Sequence, residues 1–99
     1  MNAFYSFLGL AAKAGKIKTG EDTVLREIRK QAVWLVIVAG DASPNTLKKF
    51  KDKSSYYNIP VCVIGDRESL GSAIGKESRV ILGIMDDGFA KKLRAMLDH

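Results

Sequence analysis

The stretch Trp34-Leu35-Val36-Ile37-Val38-Ala39-Gly40-Asp41-Ala42-Ser43-Pro44 decides the architecture. Its first six residues are apolar without a break and rich in Val and Ile, the pattern of a strand covered on both faces. Gly40-Asp41-Ala42 supplies a turn. Ser43 then caps a helix whose first position is Pro44, where a backbone N–H is not needed. Leu47, Phe50 and Tyr57 recur on the inner side of that helix, while Lys48, Lys49, Lys51 and Lys53 line its outer side. Asn58 and Pro60 stop it. A strand that passes through a tight turn into an amphipathic helix is one unit of an α/β fold.

Downstream the unit repeats. Val61–Ile64 reads as a strand, Gly65–Asp66 as a turn, and residues 67–74 as a short helix carrying Leu70, Ala73 and Ile74. Gly75–Ser78 is a loop and Val80–Met85 another strand. Asp86 caps a last helix, with Phe89, Leu93, Met96 and Leu97 at helical spacing. Upstream, Phe4, Phe7, Leu8 and Ala11 predict a helix over residues 3–14 that ends at Gly15. Ile17–Thr19 is a very short strand. The spacing predicts another helix over residues 21–31: Val24, Leu25, Ile28 and Ala32 share one side, and Asp22, Arg26, Arg29 and Lys30 the other. Gly20 stands directly before its first turn. Strands alternating with helices imply a sheet between helical layers. No linker or low-complexity stretch interrupts the pattern, so residues 1–99 read as one domain.

Composition narrows the function. The chain has 99 residues, 46% of them hydrophobic, enough for a real core. Its formal charge is +5, and residues 1–55 carry ten Lys/Arg against five Asp/Glu, so the whole excess lies there. A basic surface favours polyanions, of which nucleic acid is the commonest in a cell. The single cysteine, Cys62, excludes an internal disulfide and a multi-cysteine metal site; within Val61–Ile64 it reads as a small buried hydrophobe. The first residues lack the basic start of a signal peptide, and no apolar run approaches the roughly 18 residues of a membrane span. A cytoplasmic protein is expected.

The same residues offer little to an enzyme. The one histidine, His99, is the last residue. Gly9 and Gly15-Lys16 resemble a phosphate loop, but Ile17 replaces the metal-binding Ser or Thr and one residue too many separates the glycines. No dinucleotide turn follows a strand. Asp41, Asp66 and Asp86 each follow a strand and together could hold Mg²⁺; turn and cap roles are preferred, because helix starts favour Asp. No catalytic residue, metal or cofactor is expected.

Lys16 to Lys30 is the better site. Lys16 and Lys18 precede Gly20, a helix N-terminus follows, and then a basic face. Exposed helix N–H groups can meet a phosphate or a base edge. Glu21 and Asp22 can accept from base amino groups, and Arg26 can donate to guanine O6 and N7. The plainer reading is acids that complement the helix dipole, followed by a solvated basic face. The residues alone leave both open.

Taken in order, four pieces carry a resemblance. They are Lys18 to Lys30 with its glycine-opened helix, Trp34–Asp41 followed by Ala42-Ser43-Pro44, Ile59-Pro60-Val61, and Leu70-Gly71-Ser72-Ala73-Ile74-Gly75. Together they resemble the kink-turn RNA-binding ribosomal protein family, which includes large-subunit proteins seven-Ae and thirty-e and short bacterial members. The resemblance spans roughly residues 3–97. It implies a three-layer α/β/α sandwich with a mixed four-stranded sheet, and binding to kink-turns, where tandem sheared G·A pairs bend an RNA helix. The family's motif Gly-x-Asn-Glu-x-x-Lys implies RNA-binding roles for Gly20, for Asp22 and Thr23 in place of Asn-Glu, and for Arg26 in place of Lys. Lys30 matches the next basic position. Asp lacks the amide donor of Asn, and Thr lacks the reach of Glu; Glu21 is the candidate substitute acceptor. The family's second contact loop matches Lys76, Glu77 and Ser78, with the acid retained and the flanking apolar residues absent.

The expected function is therefore non-enzymatic binding of structured RNA, ribosome-associated or regulatory, by a monomer with no membrane partner. The expected site is Lys16, Lys18, Gly20, Glu21, Asp22, Thr23, Arg26, Arg29, Lys30, Lys76, Glu77 and Ser78. The alternatives are a protein-interaction adaptor that uses the basic helix face and, more remotely, a metal-dependent enzyme built on the Asp turns.

Overall fold

The computed structural model describes residues 2–97. Helix α1 (Asn2–Lys13) leads through Gly15, whose φ is +73°, into strand β1 (Ile17–Thr19). Helix α2 (Glu21–Arg29) and strand β2 (Leu35–Ala39) follow, then α3 (Pro44–Tyr56), β3 (Val61–Ile64), α4 (Arg67–Ala73), β4 (Ile81–Ile84) and α5 (Asp87–Leu97).

The strand order is β1-β4-β2-β3. Strand β4 lies antiparallel to both β1 and β2, while β2 and β3 run parallel, so the sheet is mixed. Period-two alternation sorts its side chains into two cores. Leu35, Ile37, Ala39, Leu82 and Ile84 pack with Phe4 and Leu8 of α1, Leu70 of α4, and Ala90 and Leu93 of α5. Val36, Val38 and Ile81 pack on the other face with Val24, Leu25 and Ile28 of α2 and Phe50 of α3. The result is a three-layer α/β/α sandwich. Every residue of β2 is buried, as its unbroken apolar run requires.

Helix starts obey local chemistry. Ser43 Oγ accepts from the Thr46 N–H at 3.2 Å. Asp66 accepts from the Ser69 N–H at 2.8 Å and Asp86 from the Phe89 N–H at 2.9 Å. The hydrogen bond from Ser69 holds the Asp66 carboxyl below its ordinary range, so its cap fails only in acid, as pH falls through that lowered value. Asp41 holds the α4 entrance instead: its carboxylate accepts from the Arg67 backbone N–H and Nε, each at 3.1 Å. All three Asp residues therefore serve turns and caps.

Four details differ from the sequence expectation. Trp34 lies just outside β2, and its side chain is 52% exposed rather than covered. Val80 and Met85 likewise flank β4 without joining it. Helix α2 ends at Arg29; Lys30 is its cap and Gln31 turns left-handed at φ +58°, so Ala32 is outside the helix. Cys62 is half-buried, because β3 is an edge strand. His99 lies outside the described residues.

Candidate nucleic-acid interface

Strand β1 is short, and its register matters more than its length. Thr19 pairs with Leu82, which brings Gly20 level with Ile81, the first residue of β4. There the Gly20 N–H and the Thr19 hydroxyl both donate to the Ile81 carbonyl, at 3.2 and 2.9 Å. The loop that precedes Ile81 holds Lys76, Glu77 and Ser78. Two segments far apart in sequence, the α2 entrance and this loop, thus meet at one end of the sheet.

Helix α2 begins differently from α3, α4 and α5. No side chain caps it, and Gly20 at its N-cap has φ 97° and ψ 146°. Its first backbone bond runs from the Val24 N–H to the Gly20 carbonyl at 3.0 Å. The N–H groups of Glu21, Asp22 and Thr23 thus point outward with no side-chain acceptor. A helix N-terminus in that state offers donors and a positive pole to an incoming group. A side chain on Gly20 would meet nothing within 4 Å, so glycine is needed for the backbone conformation and not for packing inside the protein. Gly20→Ala is expected to cost about 1–2 kcal/mol, because L residues rarely adopt that conformation. Chemical denaturation of both forms checks it: an unchanged midpoint would mean that the helix entrance relaxes freely.

The second loop is shaped by Gly71. The Lys76 N–H donates to the Gly71 carbonyl at 2.8 Å, and the Glu77 carbonyl folds directly over the Gly71 Cα. A Cβ there would collide with that oxygen. The glycine of Leu70-Gly71 therefore sets where Glu77 stands.

Asp22 and Arg26 are exposed, as are Lys16, Lys18 and Arg29, and among the described residues their side chains meet no ion-pair or hydrogen-bond partner. Lys76, Glu77 and Ser78 are exposed on the loop, and Thr23 is half-buried. Lys30 is less free: its Nζ is 3.6 Å from Glu27. Glu21 has partners within the protein. It turns toward α3, where its carboxylate is 3.7 Å from Lys49 Nζ and accepts from the Thr46 hydroxyl at 3.4 Å. That leaves Asp22 as the acid standing free at the helix start. Sequence reasoning missed Thr46 and Lys49, which border the same entrance. Beside the site, Lys13, Ile17, Thr19, Gly75 and Lys76 line a cleft of about 610 Å³ between α1, β1 and the α4–β4 loop.

The fold and sequence of the chain match known proteins. Residues 2–94 match the model of the ribosomal protein L7Ae/L30e/S12e/Gadd45 family. The chain belongs to this family. It is 46% identical over 95 residues to the RNA-binding protein YlxQ of Bacillus subtilis (strain 168), covering 96% of this chain and 95% of that one. It is 34% identical over 96 residues to the large ribosomal subunit protein eL30 of Yarrowia lipolytica, covering 91% and 84%. A solved structure of a protein of unknown function from Bacillus halodurans C superposes with a TM-score of 0.95 at 47% identity, covering 97% of each chain. The expected three-layer fold and the resemblance to the L7Ae/L30e family both hold. No helix among the described residues is long and apolar enough to cross a membrane.

Proposed function

We propose that this chain binds structured RNA of the kink-turn kind, without catalysis, as a monomer in the cytoplasm. One observation carries the reading: the uncapped α2 N-terminus at Gly20, with Asp22 and Arg26 exposed and unpartnered beside it. A start of this kind can meet base edges and phosphates together, and the Lys76–Ser78 loop stands across from it. RNA is preferred to another polyanion because the Bacillus subtilis relative is named an RNA-binding protein and the Yarrowia relative a ribosomal subunit protein. Association with the ribosome belongs to the same proposal. The adaptor reading gains no separate support, since the basic face of α2 is continuous with the helix start.

In this reading Arg26 donates to a guanine edge, the α2 N–H groups and Lys18 hold phosphate or base oxygens, and Glu77 accepts from a second segment of the RNA. Arg29, Lys30 and Lys16 contribute charge. Glu21 holds Lys49 and Thr46 at the border. Asp22 faces guanine O6, acceptor against acceptor. Asp22→Asn restores one N–H donor and removes one negative charge at almost constant size. A good base contact is worth about 1–3 kcal/mol, and part of that should appear as tighter binding. The gain should be larger on a kink-turn than on a plain duplex, because charge removal helps both while the donor helps only the first. Titrating both RNAs with both proteins at one salt concentration checks this. Weaker kink-turn binding by the variant would show that Asp22 already accepts from a base amino group.

A further inference from the structure

At the opposite end of the sheet, where β2 and β3 begin, lies a second groove. Its volume is about 250 Å³, and Gln31, Val33, Trp34, Tyr57, Asn58, Ile59 and Pro60 line it. Val33 and Ile59 are buried and form an apolar floor. Trp34 is 52% exposed at the mouth, and Tyr56, 79% exposed, packs edge-on to Tyr57 with ring centroids 4.9 Å apart.

Two further features single the groove out. Gln31 and Asn58 are the two non-glycine residues with positive φ among the described residues, at 58° and 59°. Each follows the C-cap residue of its helix, Gln31 after Lys30 on α2 and Asn58 after Tyr57 on α3, and both line the same groove. Asn tolerates that conformation, but Gln rarely adopts it. The lining holds no carboxylate, and cations adjoin it along the chain, Lys30 among them being shared with Glu27 at 3.6 Å. Arg29 and Lys30 stand directly before Gln31, and Lys53 lies one turn before Tyr57, whose N–H donates to the Lys53 carbonyl at 3.3 Å.

We infer that this groove holds an unpaired nucleobase of the bound RNA. Trp34 and Tyr57 supply ring faces for stacking, which every base accepts. The Gln31 and Asn58 amides each offer a donor and an acceptor to a base edge. Arg29 and Lys53 meet the flanking phosphates. RNA is favoured over a peptide by these neighbouring cations and by continuity: Arg26 and Arg29, in the last turn of α2, lead from the proposed interface toward Gln31. The inference rests on the reading of the chain as an RNA binder and extends its footprint beyond the α2 entrance.

Trp34 is the single tryptophan, so its fluorescence reports on this groove alone. The test adds short oligouridine, oligoadenosine or oligoproline to the protein and follows that signal. The expected result is saturable quenching by the oligonucleotides and none by oligoproline. Combined Gln31→Gly and Asn58→Gly removes both amides while suiting the left-handed backbone, and should weaken the oligonucleotides roughly ten-fold. A kink-turn RNA with an unpaired tail should likewise lose about ten-fold on Trp34→Ala, the share of one stacked base. The same kink-turn without a tail should change less than about two-fold. Quenching by oligoproline alone, or equal losses on tailed and untailed RNA, would overturn the inference. Quenching by oligonucleotides together with absent kink-turn binding would support the groove and remove only the kink-turn reading.

Discussion

Raising salt from about 50 to 200 mM should weaken RNA binding on the order of 100- to 1,000-fold, for about four to six phosphate contacts. The count follows from the unpaired cations around the α2 entrance. Lys16, Lys18 and Arg29 are exposed and engaged by no acid among the described residues, and Lys76 stands on the facing loop. Each contact releases a condensed counterion, and log Kd follows log salt with a slope near that number. Cations already neutralised within the protein should add little. Lys48 is such a case, since Asp52 holds its Nζ at 2.9 Å. Lys30 beside Glu27 is a partial case. Lys16→Ala should therefore reduce the slope by about one, while Lys48→Ala leaves it nearly unchanged. Titrations at several salt concentrations measure this directly. A flat dependence would remove the electrostatic argument.

The second large effect lies away from any charge. Gly71→Ala should destabilise the fold by about 3 kcal/mol, the upper end for overpacking, because the obstacle is the backbone carbonyl of Glu77 and not a side chain that can rotate. For a domain of this size that corresponds to a fall in Tm of roughly 12–24 °C. RNA affinity should fall as well, since a displaced Glu77 loop leaves the α2 entrance facing nothing. Thermal unfolding and RNA titration of the variant check both parts. A variant with unchanged Tm would show that the loop moves aside without cost, and its affinity would then report the value of the loop position alone.

These effects show where sequence patterns stop being informative. The β2–α3 junction could be read in full because each instruction is local: an apolar run, a turn, Ser43 as cap and Pro44 behind it. The same holds for the Asp66 and Asp86 caps, whose partners lie three residues away. Trp34 was misplaced because it extends the apolar run by one residue, and periodicity cannot mark where the neighbouring layer ends. The contacts of Glu21 could not be read, because its partners, Thr46 and Lys49, come from another helix through no local pattern. Gly71 could be seen as part of a motif, but its reason, the Glu77 carbonyl over its Cα, exists only after the chain turns back. The Gly20 entrance and the basic face of α2 were legible because charge and helical period place Asp22, Arg26 and Arg29 on one side without help from the rest of the fold.

The central claim is that the α2 entrance reads the sheared G·A pairs of a kink-turn and not merely RNA charge. The direct measurement is the Kd for a kink-turn RNA against the same RNA with those pairs replaced by G·C, at one salt concentration. Phosphate contacts are nearly matched between the two, so the difference isolates base reading. With Arg26 and the α2 N–H groups each contributing a base contact of about 1–3 kcal/mol, the kink-turn should bind at least about ten-fold more tightly. Equal affinity for the two RNAs would contradict the account.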